Sequence, residues 1–164
     1  MLVRGRRVGD IAFGSGSDLL LSQAFVDAWY SDGLRGLGTV DPVQIETVQP
    51  QALAESLSGF HHMVAQREGA AIDPEESHIV RSGASECGLC GGAGLVEAIL
   101  RIRISEDSWK GADLFVPWGL HGIIVATERV ADLALKYDLA NVTTTPVEEY
   151  RWNPLRREAN RGVS

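Results

Sequence analysis

The sequence predicts an α+β domain, with a mixed, mainly antiparallel sheet and two principal helices. Two amphipathic runs, Ser22 to Ser31 and Thr127 to Tyr137, carry apolar residues at helical spacing, and Val96 to Ile104 alternates with period two as a half-buried strand does. Both helical runs also sit inside one recurring pattern. Leu19 to Val43 (LLLSQAFVDAWYSDGLRGLGTVDPV) and Ile123 to Val147 (IIVATERVADLALKYDLANVTTTPV) each open on an apolar triplet, pass a hydroxyl residue, run along a helix stripe, stop at a leucine and end in Pro-Val.

The elements follow in order. Asp10 to Phe13 (DIAF) leads into the first repeat as Asp113 to Val116 (DLFV) leads into the second. Ser22 and Thr127 are expected as helix N-caps, because a side-chain oxygen there accepts an orphan N–H of the first turn. Phe25, Ala28 and Trp29 form one buried stripe, and Val130, Leu133, Ala134 and Tyr137 the other, with Asp27 and Asp132 at matching positions. The pattern reads as a strand–helix–strand module used twice. One module cannot cover its own helix stripe and strand faces, so two are expected to share a core.

Between the repeats, Val43 to Val48 alternates like a strand, Gln51 to Leu57 reads as a short helix, and Phe60 to Gln66 (FHHMVAQ) as a strand. Val96, Ala98, Leu100, Ile102 and Ile104 are expected on one face of a later strand, with Glu97, Arg101 and Arg103 opposite. Cys87 and Cys90 then fall in the turn of a β-ribbon, between Ser77 to Arg81 and this strand.

At 164 residues the chain suits one domain, a body of residues 8–150 between basic termini, 1–7 and 151–164. No run reaches the length of a membrane span, and Gly14 to Asp18 interrupts the apolar material near the N-terminus, so a cytoplasmic protein without a membrane partner is expected. The body sets eight basic groups against 21 acidic ones, a formal −13. Such a surface repels phosphate backbones and excludes a nucleic-acid binder. It favours a basic protein partner, or serves solubility alone.

Cys87 and Cys90 lie in ECGLCGGAGL. A thioredoxin-like pair wants its first thiol at a helix N-terminus, and the glycines here precede a strand instead. A Cys–His nucleophile needs a nearby base, and His61, His62, His78 and His121 give no local signature. Half a zinc knuckle fits the ribbon best, with His78 and His62 (or His61) as completing ligands, and a plain thiol pair in a glycine turn stands beside it. With two thiolates, zinc is expected weakly or not at all, and folding without it.

Taken together, GDIAFGSGSDLLLSQAFVDA, FHHMV, CGLCGG and SWKGADLFVPWGLHGIIVATERVADLALKYDLANVTTTPVEEY resemble the double-CxxCG-motif immunity proteins of bacterial toxin competition systems. The resemblance implies a small cytosolic protein that binds and neutralises a cognate toxin, without catalysis. It also implies two CxxCG motifs supplying four thiolates, of which this chain carries one. The alternative function is a zinc-ribbon-like structural or regulatory module that binds another cytosolic protein. In SEDSWKGADLFVPWGLHG, Phe115 is expected in the core, and Trp109, Trp118 and Asp113 are the candidate partner contacts.

Overall fold

A computed structural model describes residues 9–14, 17–44, 59–83 and 94–154. It is an α+β fold. The elements are β1 (Ile11–Phe13), β2 (Asp18–Ser22), α1 (Gln23–Ser31), β3 (Leu37–Pro42), β4 (Phe60–Ala65), β5 (Arg67–Ala71), β6 (His78–Ser82), β7 (Leu95–Arg101), β8 (Leu114–Trp118), β9 (Val125–Ala126) and α2 (Glu128–Lys136). Four strands form an antiparallel sheet in the order β1-β2-β4-β3. Three form a second sheet, β5-β8-β9, in which β5 and β8 run parallel, and β6 and β7 make an antiparallel ribbon.

The main core joins the two repeats. Leu19 and Leu21 from β2, Phe25 and Trp29 from α1 and Met63 from β4 pack with Leu114 and Val116 from β8 and Val130 and Leu133 from α2. Phe25 and Trp29 stack with ring centroids 5.8 Å apart, which the spacing of four residues on α1 places one above the other. A smaller cluster of Ile99, Ile102 and Leu120 fastens the β6–β7 ribbon to the body.

The recurring unit is a hairpin followed by a helix, not strand–helix–strand. β1 pairs with β2 through Ile11↔Leu21, and β8 pairs with β9 through Leu114↔Ala126, so each DIAF-type segment is the first arm of a hairpin that runs straight into its helix. After α1 the chain forms β3 and pairs with β4. After α2 the equivalent residues, 142–146, form no strand.

Hydrogen bonds relate the two units. Each helix exits through a left-handed residue, Gly33 (φ 63°) or Asp138 (φ 51°). Leu34 N–H then donates to the Trp29 carbonyl at 3.1 Å, and Leu139 N–H to the Ala134 carbonyl at 2.9 Å. Glycine bears that conformation without cost and Asp is one of the few other residues that tolerate it. The Asp that opens each hairpin then bonds to the other unit's helix exit. Asp10 accepts the Ala140 N–H at 2.6 Å, and Asp113 accepts the Arg35 N–H at 2.8 Å. Asp10 N–H donates to the Ala140 carbonyl, and Asp113 N–H to the Arg35 carbonyl. The same pair of bonds occurs twice with the roles of the repeats exchanged, as an internal two-fold relation requires.

Three expectations change. Ser22 does cap α1, its oxygen accepting the Phe25 N–H at 3.1 Å, while Thr127 makes no such bond and its hydroxyl donates to Asp113 at 2.8 Å. β3 ends at Pro42 and residues 43–44 are in no strand, while the rest of the strand expected at Val43 to Val48, like the helix expected at Gln51 to Leu57, falls outside the described residues. In β7 the register shifts twice against β6. Each bulge turns the following side chains over, so Ile99 is buried and Leu100 faces outward.

Candidate partner-binding groove

Asp113 links the two helix ends. It opens the β8–β9 hairpin and is only 2 % exposed. Besides the Arg35 N–H it accepts the Thr127 hydroxyl at 2.8 Å and the Arg129 guanidinium at 3.0 Å, so the buried charge is both paired and hydrogen-bonded. Asp113 therefore serves as an internal strut: its carboxylate, only 2 % exposed, already accepts from three donors inside the fold and lies at the floor of the groove above it. Asp10 does the same work in the first unit, accepting the Ser22 hydroxyl at 2.6 Å.

Above this strut lies a groove of about 480 Å³, walled by Arg35, Trp109, Gly111, Thr127, Glu128 and Arg129. The short 3-10 turn Glu106–Ser108 delivers Trp109 to its rim. The indole N–H donates to the Ala112 carbonyl at 2.9 Å, and Trp109 N–H to the Glu106 carbonyl at 3.1 Å. The ring is fixed at its polar edge while 49 % of the residue stays exposed. A large aromatic held rigid before a partner arrives costs little side-chain entropy on binding.

Trp118 is half-buried on β8, opposite Ala71, and borders a neighbouring hollow of about 330 Å³ with Ala70, Ser108 and Lys110. Phe115 is buried, as expected.

One side of the groove continues into a charged cluster at the end of α1. Arg129 donates a second bond to the Asp32 carbonyl at 3.0 Å. The Asp32 carboxylate accepts Lys136 Nζ at 2.8 Å and the Tyr137 hydroxyl at 2.8 Å. The Lys136 hydrogen bond first, and the Tyr137 bond next, hold the Asp32 carboxyl below its ordinary value, while the same bond raises Lys136.

The candidate metal ligands are placed only in part. Cys87 and Cys90 lie outside the described residues, between the paired ribbon ends Ser82 and Leu95. His78 is exposed on β6, opposite Arg101, whereas His62 lies on β4 of the four-stranded sheet with Nε2 3.7 Å from Asp18. His61 bonds Gln23 at 2.6 Å. The two candidate histidines thus belong to separate sheets, and among the described residues no three His, Cys, Asp or Glu side chains gather in a metal-binding group.

Sequence reasoning missed Arg35, Arg129 and Asp32. Asp10 and Asp113 left a signal in the matched DIAF and DLFV segments, but the arginines are specific to one unit: their counterparts across the internal relation are Ala140 and Ala24. Among the described residues no helix is long and apolar enough to cross a membrane. No protein-family model and no curated protein matches the chain.

Proposed function

We propose that this protein is a stoichiometric protein ligand of the immunity type, which binds a basic toxin in the cytoplasm and covers its active surface. The observation that supports this best is Trp109, locked at its indole N–H yet half exposed beside an open groove, on a body of formal charge −13. The acidic field draws a basic partner in, and a preset aromatic slows its departure. Co-expression with the protein encoded next to it is the test. A neighbour that is toxic alone and harmless beside this protein supports the reading; cells dying equally fast with and without it refutes it.

A second reading rests on the ribbon. Ser82↔Leu95 closes the β6–β7 stem directly around the segment that carries Cys87 and Cys90, the setting of a zinc-ribbon-like regulatory module. One zinc per chain after mild chelation, with unfolding on its removal, favours this reading; metal-free, folded protein favours the first.

A further inference from the structure

The segment after each helix has the same origin in the repeat and a different fate. After α1, Leu37–Pro42 becomes β3 because β4 lies beside it, with Val40↔Met63 and Pro42↔His61 in register. After α2, the counterpart Val142 to Val147, VTTTPV, is the more β-prone of the two, with three consecutive threonines between valines. Yet residues 142–146 join no ladder, and no backbone group of Val142 to Thr145 is hydrogen-bonded within the described residues. Thr143, Thr144 and Thr145 are exposed.

Beneath this strap is an apolar cavity of about 150 Å³, whose walls include Ile11, Phe13, Ile124, Val130, Val142 and Val147. That is room for one aliphatic or phenyl side chain. Phe13, at 63 % exposure, is the most open of these apolar walls. Exposed Glu148 and Glu149 follow the strap, and the neighbouring Arg151 is turned back onto the carbonyls of Glu148 and Tyr150.

We infer that Val142 to Thr145 is a docking edge for one extended segment of the partner, which pairs with the strap as β4 pairs with β3. The incoming strand places one apolar side chain in the cavity and flanking Lys or Arg residues near Glu148 and Glu149. Backbone bonds supply the affinity and the cavity the selectivity, as in strand addition generally. Pro146, which has no N–H, ends the pairing. The inference rests on reading the protein as a binder of other proteins, and it names the contact.

The experiment uses the full chain and a capped peptide, KTVLVTK, at millimolar concentration, with amide hydrogen exchange as the readout. Exchange is expected to slow at alternate strap amides, either Val142 and Thr144 or Thr143 and Thr145, since successive N–H groups of an extended chain face opposite edges, and not along β3. Methylating alternate peptide nitrogens abolishes the effect without touching the protein. Proline at whichever of the exposed Thr143 and Thr144 lies in the protected pair (Thr143→Pro or Thr144→Pro) keeps the melting temperature and weakens the peptide by about tenfold or more. The inference is overturned by strap amides protected before peptide is added, by no slowing at saturation, or by slowing confined to other strands. Protection that rises with protein concentration alone also overturns it, since a second copy is then the occupant. A peptide that seats as described while the neighbouring protein goes unneutralised leaves this contact standing and refutes the immunity reading; the reverse result refutes the contact alone.

Discussion

Asp10 and Asp113 hold equivalent places in the fold: each opens a hairpin, accepts the hydroxyl that precedes its own helix, and accepts the backbone N–H that follows the other helix. They differ in depth, Asp113 being buried and Asp10 half-buried. Truncating either leaves donors from both units without an acceptor. Asp113→Ala is expected to cost about 3 kcal/mol and Asp10→Ala about 1–2 kcal/mol, measured by urea unfolding. Arg129→Met, which leaves the buried Asp113 charge hydrogen-bonded but without its counter-ion, is expected to cost about 1–3 kcal/mol. Equal, small losses at both aspartates would contradict their role as struts.

Gly36 tests how closely the units approach. Its φ is +108°, and a Cβ there would lie 2.3 Å from the Leu114 carbonyl oxygen. Gly36→Ala is expected to lose about 2 kcal/mol or more, since backbone must move to admit the methyl group. Gly33→Ala, at φ +63° with open space around it, is expected to lose about 1 kcal/mol. Thermal unfolding of the two variants side by side reads the difference.

The Asp32–Lys136 pair sets a pH window. A carboxyl held below its ordinary 3.8 stabilises the fold above that value and loses the contribution as pH falls through its lower, folded value. An ammonium raised above its ordinary 10.5 stabilises below that value and loses the contribution as pH rises through its higher one. The melting-temperature gap between the native chain and Lys136→Met is therefore expected to be flat from about pH 5 to 9 and to close at the acid end. Added salt should narrow it, because both groups face water.

How much of this was legible in the sequence depends on the range of the interaction. Both helices were, because their stripes are local: Phe25 and Trp29, or Val130 and Leu133, declare a buried face at spacings of three and four. The Asp struts showed only as matched letters, since Asp113 meets Arg35 across 78 positions of chain. The β7 face was misread because a bulge breaks the alternation at positions no single strand reveals. Val142 to Val147 was expected as a strand on propensity, yet propensity describes a surface that must be shared, and only Leu37–Pro42 has its β4. Trp109 and Phe115 look alike in composition; the turn at Glu106–Ser108 sends one outward, and β8, covered on both faces, encloses the other.

Trp109→Ala is expected to leave the unfolding midpoint nearly unchanged, since the ring stands half outside the fold, and to speed dissociation from the partner by about tenfold or more. Neutralising three or four exposed acids of the body is expected to slow association and flatten its salt dependence instead. Surface binding kinetics across a salt series separates the two. A Trp109→Ala protein that melts early and binds normally would return the ring to a structural role.

The most direct measurement of the central claim is a titration of the neighbouring protein's toxic activity, in purified form, with increasing amounts of this chain. A stoichiometric ligand extinguishes the activity at one equivalent, and the two proteins then elute as a single complex. Loss of activity at a small fraction of an equivalent would reveal turnover, and activity that persists at excess would remove the toxin as the partner; either result contradicts the account.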